Sequence, residues 1–311
     1  MAIYPFQLWL RAIRAFSFTA SVVPVLLGTA IAFWQIGPEA IRWDLMFLAV
    51  IGGLSLHAGT NLFSDFFDYK NGVDREETYG SSRVLVERLM NPRDMFVGGI
   101  VSFAIAFGIG VYLAWLLGWP IVMFGLIGIA GGYFYTANPI AYKYKALGEF
   151  LVFALMGPLM VWGGHFVQVG HLQWQPLLVS LPVGILVAAI LFANNLRDIE
   201  DDNASGFDTQ ASLMGRKRAR LMYGAMLFGA YFTLLGLVVF GLAPIAALIA
   251  VLTIPAALKV NKVIQESLKH ERSHLAMVDV MTAQLHFQFG LLLVVGYVVG
   301  RFLNLSNFFG N

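Results

Sequence analysis

The chain contains no cysteine, which excludes disulfides and thiolate metal sites. Charge is scarce as well. Asp, Glu, Lys and Arg make up only 12% of the 311 residues, about half the roughly 25% usual in soluble globular chains. Hydrophobic residues make up 59% and mean hydropathy is +0.73. A chain this apolar is expected to be an integral membrane protein. The N-terminus lacks the basic segment, short apolar core and small-residue site of a removable signal, so the first apolar run is expected to direct insertion. No nucleic-acid partner is expected.

Long apolar runs are abundant. A spanning helix needs about 20 such residues, and nine segments qualify, at about 16–36, 45–67, 95–117, 119–136, 149–170, 176–197, 221–240, 243–262 and 283–304. Pro24, Pro158, Pro182 and Pro255 fall inside them, as neighbouring helices in lipid allow. With nine spans, all but Arg42 and Arg301 of the 20 Lys and Arg residues fall on one set of alternate loops. The positive-inside rule then puts the N-terminus in the cytoplasm and the C-terminus outside. The expected fold is all-α: one polytopic membrane domain with a central cavity open to the cytoplasm.

The polar exceptions are concentrated. Asn61, Asp65 and Asp68 end the second apolar run, and on a helix they share one face. A shift of 133 residues carries them onto Asn194, Asp198 and Asp201, at the end of the sixth run. Two carboxylates one turn apart at membrane depth are costly unless a cation sits between them. The offset predicts a duplicated four-helix unit, with repeat one at about 16–136, repeat two at about 149–262 and a ninth helix at about 283–304. Cytoplasmic cap loops are expected at about 68–94 and 198–220.

Clustered Asp and Asn oxygens without His or Cys suit a hard cation such as Mg²⁺, which bridges readily to phosphate. Arg83, Lys143, Lys145 and Arg197 fall on the same side of the membrane and would complete a diphosphate site. A diphosphate at the mouth of an apolar bundle suggests a polyprenyl diphosphate, its tail running between helices.

Several segments resemble those of the UbiA-superfamily intramembrane prenyltransferases. They are the run from Ser17 to Ala30 with Pro24 and Gly28, the first acid motif through Asp74, Ser82 to Glu87, Tyr135-Thr136, Lys143 to Glu149, Gly157 to Gly170, Asn194 to Asp202, and Thr282 to His286. Within the superfamily the chain most resembles the 1,4-dihydroxy-2-naphthoate prenyltransferases of menaquinone synthesis and their vertebrate vitamin-K2-forming relative. Ser81-Ser82-Arg83-Val-Leu-Val-Glu87 stands where two other branches carry an Arg-Pro run, and Gly72-Val-Asp74 matches the naphthoate branch. The departures are Ala15 for a common Pro, Ser64 for a common Asn, and Phe207 for a Lys found in several bacterial members.

The resemblance implies Mg²⁺-dependent transfer of a geranylgeranyl or longer group to an aromatic acceptor such as 1,4-dihydroxy-2-naphthoate, with decarboxylation. Asp65, Asp68 and Asp74 would hold one Mg²⁺, and Asp198 and Asp202 another, with Asn61 and Asn195 ligating or orienting. Arg83 and Lys143 would neutralise the leaving diphosphate, with Arg197 and Tyr135 also at the substrate. Which of Asp201 and Asp202 ligates is open on spacing alone; the resemblance favours Asp202. The base is open between an unliganded Asp and the acceptor's own hydroxyl.

Blander readings stand beside these. Acids are ordinary where helix ends meet headgroups, and Arg83 or Lys143 could be simple positive-inside anchors. The basic run from Arg216 to Arg220 reads as a headgroup anchor. His57, one turn before Asn61, reads as a buried hydrogen-bonding histidine, with an acceptor contact as the alternative. Glu200 is expected to be solvated and Glu149 to orient Lys143. Phe66, Phe67, Tyr133, Tyr135 and Trp162 either line a prenyl tunnel or pack. A product greasier than its acceptor calls for a gap to lipid between helices. Two other functions remain: a related enzyme with another aromatic or lipid acceptor, and a cation or solute transporter. Against transport, the acids lie at helix ends among basic loops.

Overall fold

The computed structural model describes residues 5–75, 82–267 and 272–303, and every regular element among them is helical. Ser81, the loop lysine Lys269 and Asn304, the expected end of the ninth helix, lie outside the described residues.

A short helix α1 (Pro5–Ala12) precedes α2 (Thr19–Ile36) and α3 (Trp43–Lys70). Next come α4 (Pro92–Leu117) and α5 (Trp119–Tyr133). The next long element, α6, runs over Gly148–Val169. It passes through one wide π turn at Leu155–Leu159 that contains Pro158. Proline lacks an N–H and crowds the carbonyl four residues back, and the wider turn absorbs both defects. Helix α7 (Leu181–Arg197) meets α8 (Ile199–Ser205) at a bend of 70°. Then come α9 (Gln210–Val239), α10 (Ile245–Glu266) and α11 (Val278–Phe302). Thr209 caps α9 by accepting from the Ser212 N–H, and the Thr209 N–H donates to Ser212 Oγ in return. Gly215, at φ 70°, kinks the first turns of that helix.

Seven of these elements are long and apolar enough to cross a membrane, and the bent α7–α8 pair makes an eighth. The segment expected as a fourth span is α5, an apolar helix of 15 residues. Gly118 at φ 88° separates α4 from α5, which starts at Trp119 as expected and ends at Tyr133, three residues before the expected end.

The centre of the bundle is α2, α7 and α11. Val23, Leu27 and Ile31 of α2 recur every four residues, as do Leu285, Phe289 and Leu293 of α11; both rows meet Val183, Leu186 and Phe192 of α7 in one buried cluster. Lipid tails are as apolar as these side chains, so close packing rather than water exclusion must hold the helices together. Glycine provides it. A Cβ on Gly164 of α6 would lie 2.9 Å from the Val25 carbonyl oxygen of α2, and one on Gly157 would lie 2.6 Å from the Gly184 Cα of α7. Helix α4, by contrast, packs chiefly on α3 and α5, and Phe107 and Trp115 stay exposed.

Helix α3 positions the first acid motif. From Trp43 to Asp65 it rises about 33 Å at 1.5 Å per residue. That slightly exceeds the roughly 30 Å hydrocarbon core of a bilayer. The unbroken helix keeps Asn61, Asp65 and Asp68 in register. The second motif differs: the helix breaks at Asp198 (φ −98°, ψ 12°), so Asn194 and Asp201 lie on different helices. A single shared face does not exist there, because α8 turns away after the Asp198 backbone.

Candidate active site

One cavity of about 760 Å³ runs from both acid motifs down into the bundle. Its head is lined by Asn61, Asp74, Asn194, Asn195, Asp198 and Asp202, with Lys143, Arg197, Tyr135 and Asp201 beside them. Its body is apolar, with Leu56 of α3, Phe107 of α4, Leu126 of α5, and Met156 and Leu159 of α6 in the wall. Phe107, Val111, Val122 and Leu126 line it and remain 60%, 53%, 48% and 63% exposed, so the cavity opens sideways between α4 and α5.

Asp65 and Asp68 do not line the cavity; they are buried beside its head, tied to cations and hydroxyls. Asp65, 2% exposed, accepts from Arg14 and from the Ser82 N–H at 3.0 Å. Asp68 is fully buried and accepts from Lys143 Nζ at 2.6 Å, from Ser64 Oγ at 3.2 Å and from the Tyr144 hydroxyl. Burial works against the Lys143 ammonium, but the charges around it, Asp68 first, hold its pKa well above the usual lysine value. The same burial raises the Tyr144 hydroxyl, which keeps it a donor. Lys143 and Tyr144 lie in a tight turn flanked by Ala141 at φ 43° and Ala146 at φ 53°. Left-handed alanines are strained, so the surroundings must fix this turn. The Lys143 N–H donates to the Tyr135 carbonyl at 2.9 Å, and the Ala146 N–H to the Asp208 carbonyl at 2.7 Å.

In the second motif Arg197 is the hub. Its Nε and Nη2 grip Asp198 as a fork at 2.9 and 2.8 Å, its Nη1 reaches Asp279 at 3.0 Å, and its Nη2 also reaches Asn194 Oδ1 at 2.6 Å. Asp202 accepts from Thr209 Oγ1 at 3.1 Å. Asn195 Nδ2 donates to Glu149 Oε1 at 2.8 Å. Glu149 therefore orients Asn195 rather than Lys143, whose turn points its ammonium at Asp68.

Asp74 follows the end of α3, folded back by its N–H to the Asp68 carbonyl at 3.3 Å. Burial first, then the charge of Asp68, pushes its carboxyl up to about 7. Among the described residues no three carboxylates or imidazoles converge as a ready-made metal cage. The donor set nevertheless fits a hard cation. The Asp and Asn side chains at the cavity head offer oxygen, Asp74 and Asp202 come from opposite motifs, and Mg²⁺ needs only one or two carboxylates plus water and phosphate.

The remaining expectations fall as follows. Arg83 lies outside the main cavity, in an adjoining one of about 420 Å³ with Arg11, Arg14 and Phe16, and its Nε is 3.3 Å from Glu87. Glu200 is exposed and paired with Arg216 at 2.6 Å. His57 is a hydrogen-bonding histidine, with Ser17 and Ser21 on its two nitrogens. Tyr135 lines the cavity, whereas Phe66, Phe67 and Tyr133 pack with Phe63 and Phe96, and Trp162 packs on Phe124. Sequence reasoning missed Arg14, Tyr144 and Asp279. Asp279 carried a signal, as a lone acid at the head of an apolar run; Arg14 and Tyr144 looked like parts of ordinary basic loops.

Bundle and site together define a polytopic membrane protein with an acidic, oxygen-rich head over an apolar cavity. The chain belongs to the UbiA prenyltransferase family, whose model matches residues 21–302, and it is a prenyltransferase. It is 34% identical to 1,4-dihydroxy-2-naphthoate octaprenyltransferase of Bacillus subtilis, over 95% of this chain and 93% of that protein. It is 29% identical to human UbiA prenyltransferase domain-containing protein 1, over 94% of this chain and 84% of that one. Two solved structures share the fold. The UbiA homolog from Aeropyrum pernix K1 matches with a TM-score of 0.64 at 17% identity, over 91% of this chain and 98% of that one. The UbiA homolog from Archaeoglobus fulgidus bound to GPP and Mg²⁺ matches with a TM-score of 0.62 at 15% identity, over 93% and 99%.

Proposed function

We propose that the protein transfers a geranylgeranyl or longer prenyl group from its diphosphate to 1,4-dihydroxy-2-naphthoate, with loss of CO₂, to give a demethylmenaquinone precursor. The observation that carries this is the single cavity whose head gathers acids and cations from both motifs and whose body is apolar and open to lipid. The name of the Bacillus relative supports the acceptor, and the GPP and Mg²⁺ in the Archaeoglobus homolog support the donor and the metal.

In this reading Asp65, Asp68 and Asp74 hold one Mg²⁺ and Asp198 and Asp202 a second, with Asn61 and Asn195 ligating or orienting. Bound there, the metal supplies charge stabilisation to the leaving diphosphate. Lys143 approaches the same oxygens as a point charge, and Arg197, its fork on Asp198, adds its charge beside them. Arg83 joins them when its loop closes over the headgroup. The apolar wall excludes water as the allylic C–O bond breaks. The ring carbon of the acceptor then forms the new C–C bond, and CO₂ leaves from that carbon to restore the aromatic ring. We further assign nine crossings in two four-helix repeats plus a ninth helix, a bacterial plasma membrane, and a cytoplasmic N-terminus and active site with the C-terminus outside.

Purified protein in detergent with 1,4-dihydroxy-2-naphthoate, geranylgeranyl diphosphate and Mg²⁺ provides the test. A prenylated, decarboxylated naphthoquinol that disappears with EDTA and in Asp68→Asn is the expected result. Diphosphate release only with a different acceptor would overturn the naphthoate assignment. No cleavage with any acceptor, together with ion flux in proteoliposomes, would overturn enzyme function altogether.

A further inference from the structure

Eight of the described glycines line the main cavity. A glycine in a membrane helix usually serves the close approach of a neighbouring helix. Six of the eight do so, since a Cβ on any of them would meet another residue within 4 Å. Gly110 of α4 and Gly125 of α5 are the exceptions: a Cβ on either meets nothing within 4 Å. Packing gives no reason for glycine at these two positions. What their missing side chains leave is open space.

That space is the sideways opening. Gly110 shares a helix face with Phe107, Val111 and Ala114, and Gly125 shares one with Val122, Leu126 and Ile129; all of them line the cavity. Each glycine therefore stands in the middle of one rim. The two are level, because α4 and α5 are arms of one hairpin joined at Gly118, and the glycines lie eight residues before and seven after it. Helix α3 gives the depth. A Cβ on Gly128 would meet Leu56 and one on Gly132 would meet Thr60, so the same spacing sets Gly125 beside Gly53. Ile109 faces Gly52, which sets Gly110 at that level too. From Asn61 to Gly53 is about 12 Å along the helix, and to Ala49, the deepest α3 residue in the wall, about 18 Å.

We infer that Gly110 and Gly125 form a sill over which the far end of the prenyl tail leaves the bundle for lipid, and that these two residues set the range of donor lengths. The inference rests on the proposed function and adds to it the residues that admit long tails. Four zigzagged carbon–carbon bonds of about 1.5 Å advance an isoprene unit by roughly 5 Å. A geranyl tail, about 10 Å long, ends above the sill. A geranylgeranyl tail passes it and already matches the depth of the wall. An octaprenyl tail, at about 40 Å, is twice that depth and must leave sideways. A side chain at either glycine would stand in its path and leave the geranyl tail untouched.

Displacement of labelled geranyl diphosphate tests this without an acceptor, on the full chain in lipid nanodiscs with Mg²⁺. The wild type is expected to bind octaprenyl diphosphate at least as tightly as geranyl diphosphate. Gly110→Leu and Gly125→Leu are each expected to weaken octaprenyl diphosphate at least about tenfold, the scale of an overpacked contact, and to leave geranyl diphosphate within about twofold. Gly108→Leu, also in open space on α4 but outside the cavity wall, is expected to match the wild type. If a leucine variant does not fold, alanine at the same position is expected to shift octaprenyl diphosphate in the same direction by less. Octaprenyl binding unchanged in both glycine variants, or geranyl and octaprenyl diphosphates weakened equally, overturns the sill. Length discrimination as expected but no transfer to 1,4-dihydroxy-2-naphthoate overturns the proposed function and leaves the sill standing; transfer without the discrimination does the reverse.

Discussion

The ring of Tyr144 stacks on that of Phe207, with centroids 4.3 Å apart and planes 28° from parallel. The Tyr144 hydroxyl donates to Asp68 of the first motif, and the Phe207 N–H donates to the Asp202 carbonyl of the second at 3.1 Å. This pair joins the two acidic halves of the site. Phe207→Ala is expected to cost about 1 kcal/mol beyond the lost apolar area, read as a lower unfolding temperature in detergent. Tyr144→Phe keeps the stack and removes the donor, so it is expected to lower kcat with a smaller effect on unfolding. Equal effects of both variants on unfolding and turnover would count against this division of roles.

The Lys143–Asp68 pair is buried, with the Asp68 side chain 1% exposed. Removing one partner of such a pair strands the other charge, at about 3–5 kcal/mol. Lys143→Met and Asp68→Asn are each expected to lower the unfolding temperature strongly, and the double variant less than the two added together. Activity is expected to vanish in all three, so stability and turnover separate in the double variant.

Arg197 makes a fork that lysine cannot reproduce. Arg197→Lys is expected to lose the second Asp198 bond and the reach to Asp279, lowering kcat/KM for prenyl diphosphate at least tenfold. Asp279→Asn keeps the Asp198 fork and is expected to cost less. Steady-state kinetics with the donor varied distinguishes the two.

The crossing of α2 on α6 has no room for side chains. A Cβ on Gly28 would overlap the Val161 carbonyl oxygen, and one on Gly164 would lie 2.9 Å from that of Val25. Gly164→Val is expected to destabilise by about 1–3 kcal/mol or more, as overpacked interiors do. At Gly125, where added bulk meets open space, Gly125→Ala is expected to leave the unfolding temperature unchanged. Size-exclusion profiles and thermal unfolding check both.

The Asp74 carboxyl is pushed up to about 7, by burial first and by Asp68 next. Its unfolded value is near 3.8, so between about 4 and 7 the folded chain holds a proton the unfolded chain has lost, and stability falls as pH rises through that window. Mg²⁺ favours the ionised form and so removes that fall. The increase in unfolding temperature on adding Mg²⁺ to EDTA-treated protein is therefore expected to grow from pH 5 to pH 7.5. In Asp74→Asn the increase is expected to be smaller and flatter.

Much of this was legible in the chain. Hydropathy located the apolar segments because a membrane span repeats one simple demand over about 20 residues. The repeated Asn–Asp spacing marked both motifs because α3 is continuous through the first. Other features depended on tertiary structure. Asp198 falls where the backbone turns by 70°, and no local residue announces that bend. Arg14 meets Asp65 across 51 positions of sequence, and Asp279 meets Arg197 across 82. Periodicity carries no trace of such partners. Glu149 was close enough in sequence to suggest Lys143, but the turn at Ala141–Ala146 sends the lysine to Asp68 and leaves Glu149 facing Asn195.

The sideways opening between α4 and α5 makes the surrounding solvent a reactant of sorts. A prenylated product that threads past Phe107 and Leu126 is released by partitioning into acyl chains, and never has to be hydrated. Release then depends on the thickness and fluidity of that medium. Turnover in short-chain detergent and in bilayer can differ while every bond-making step stays the same.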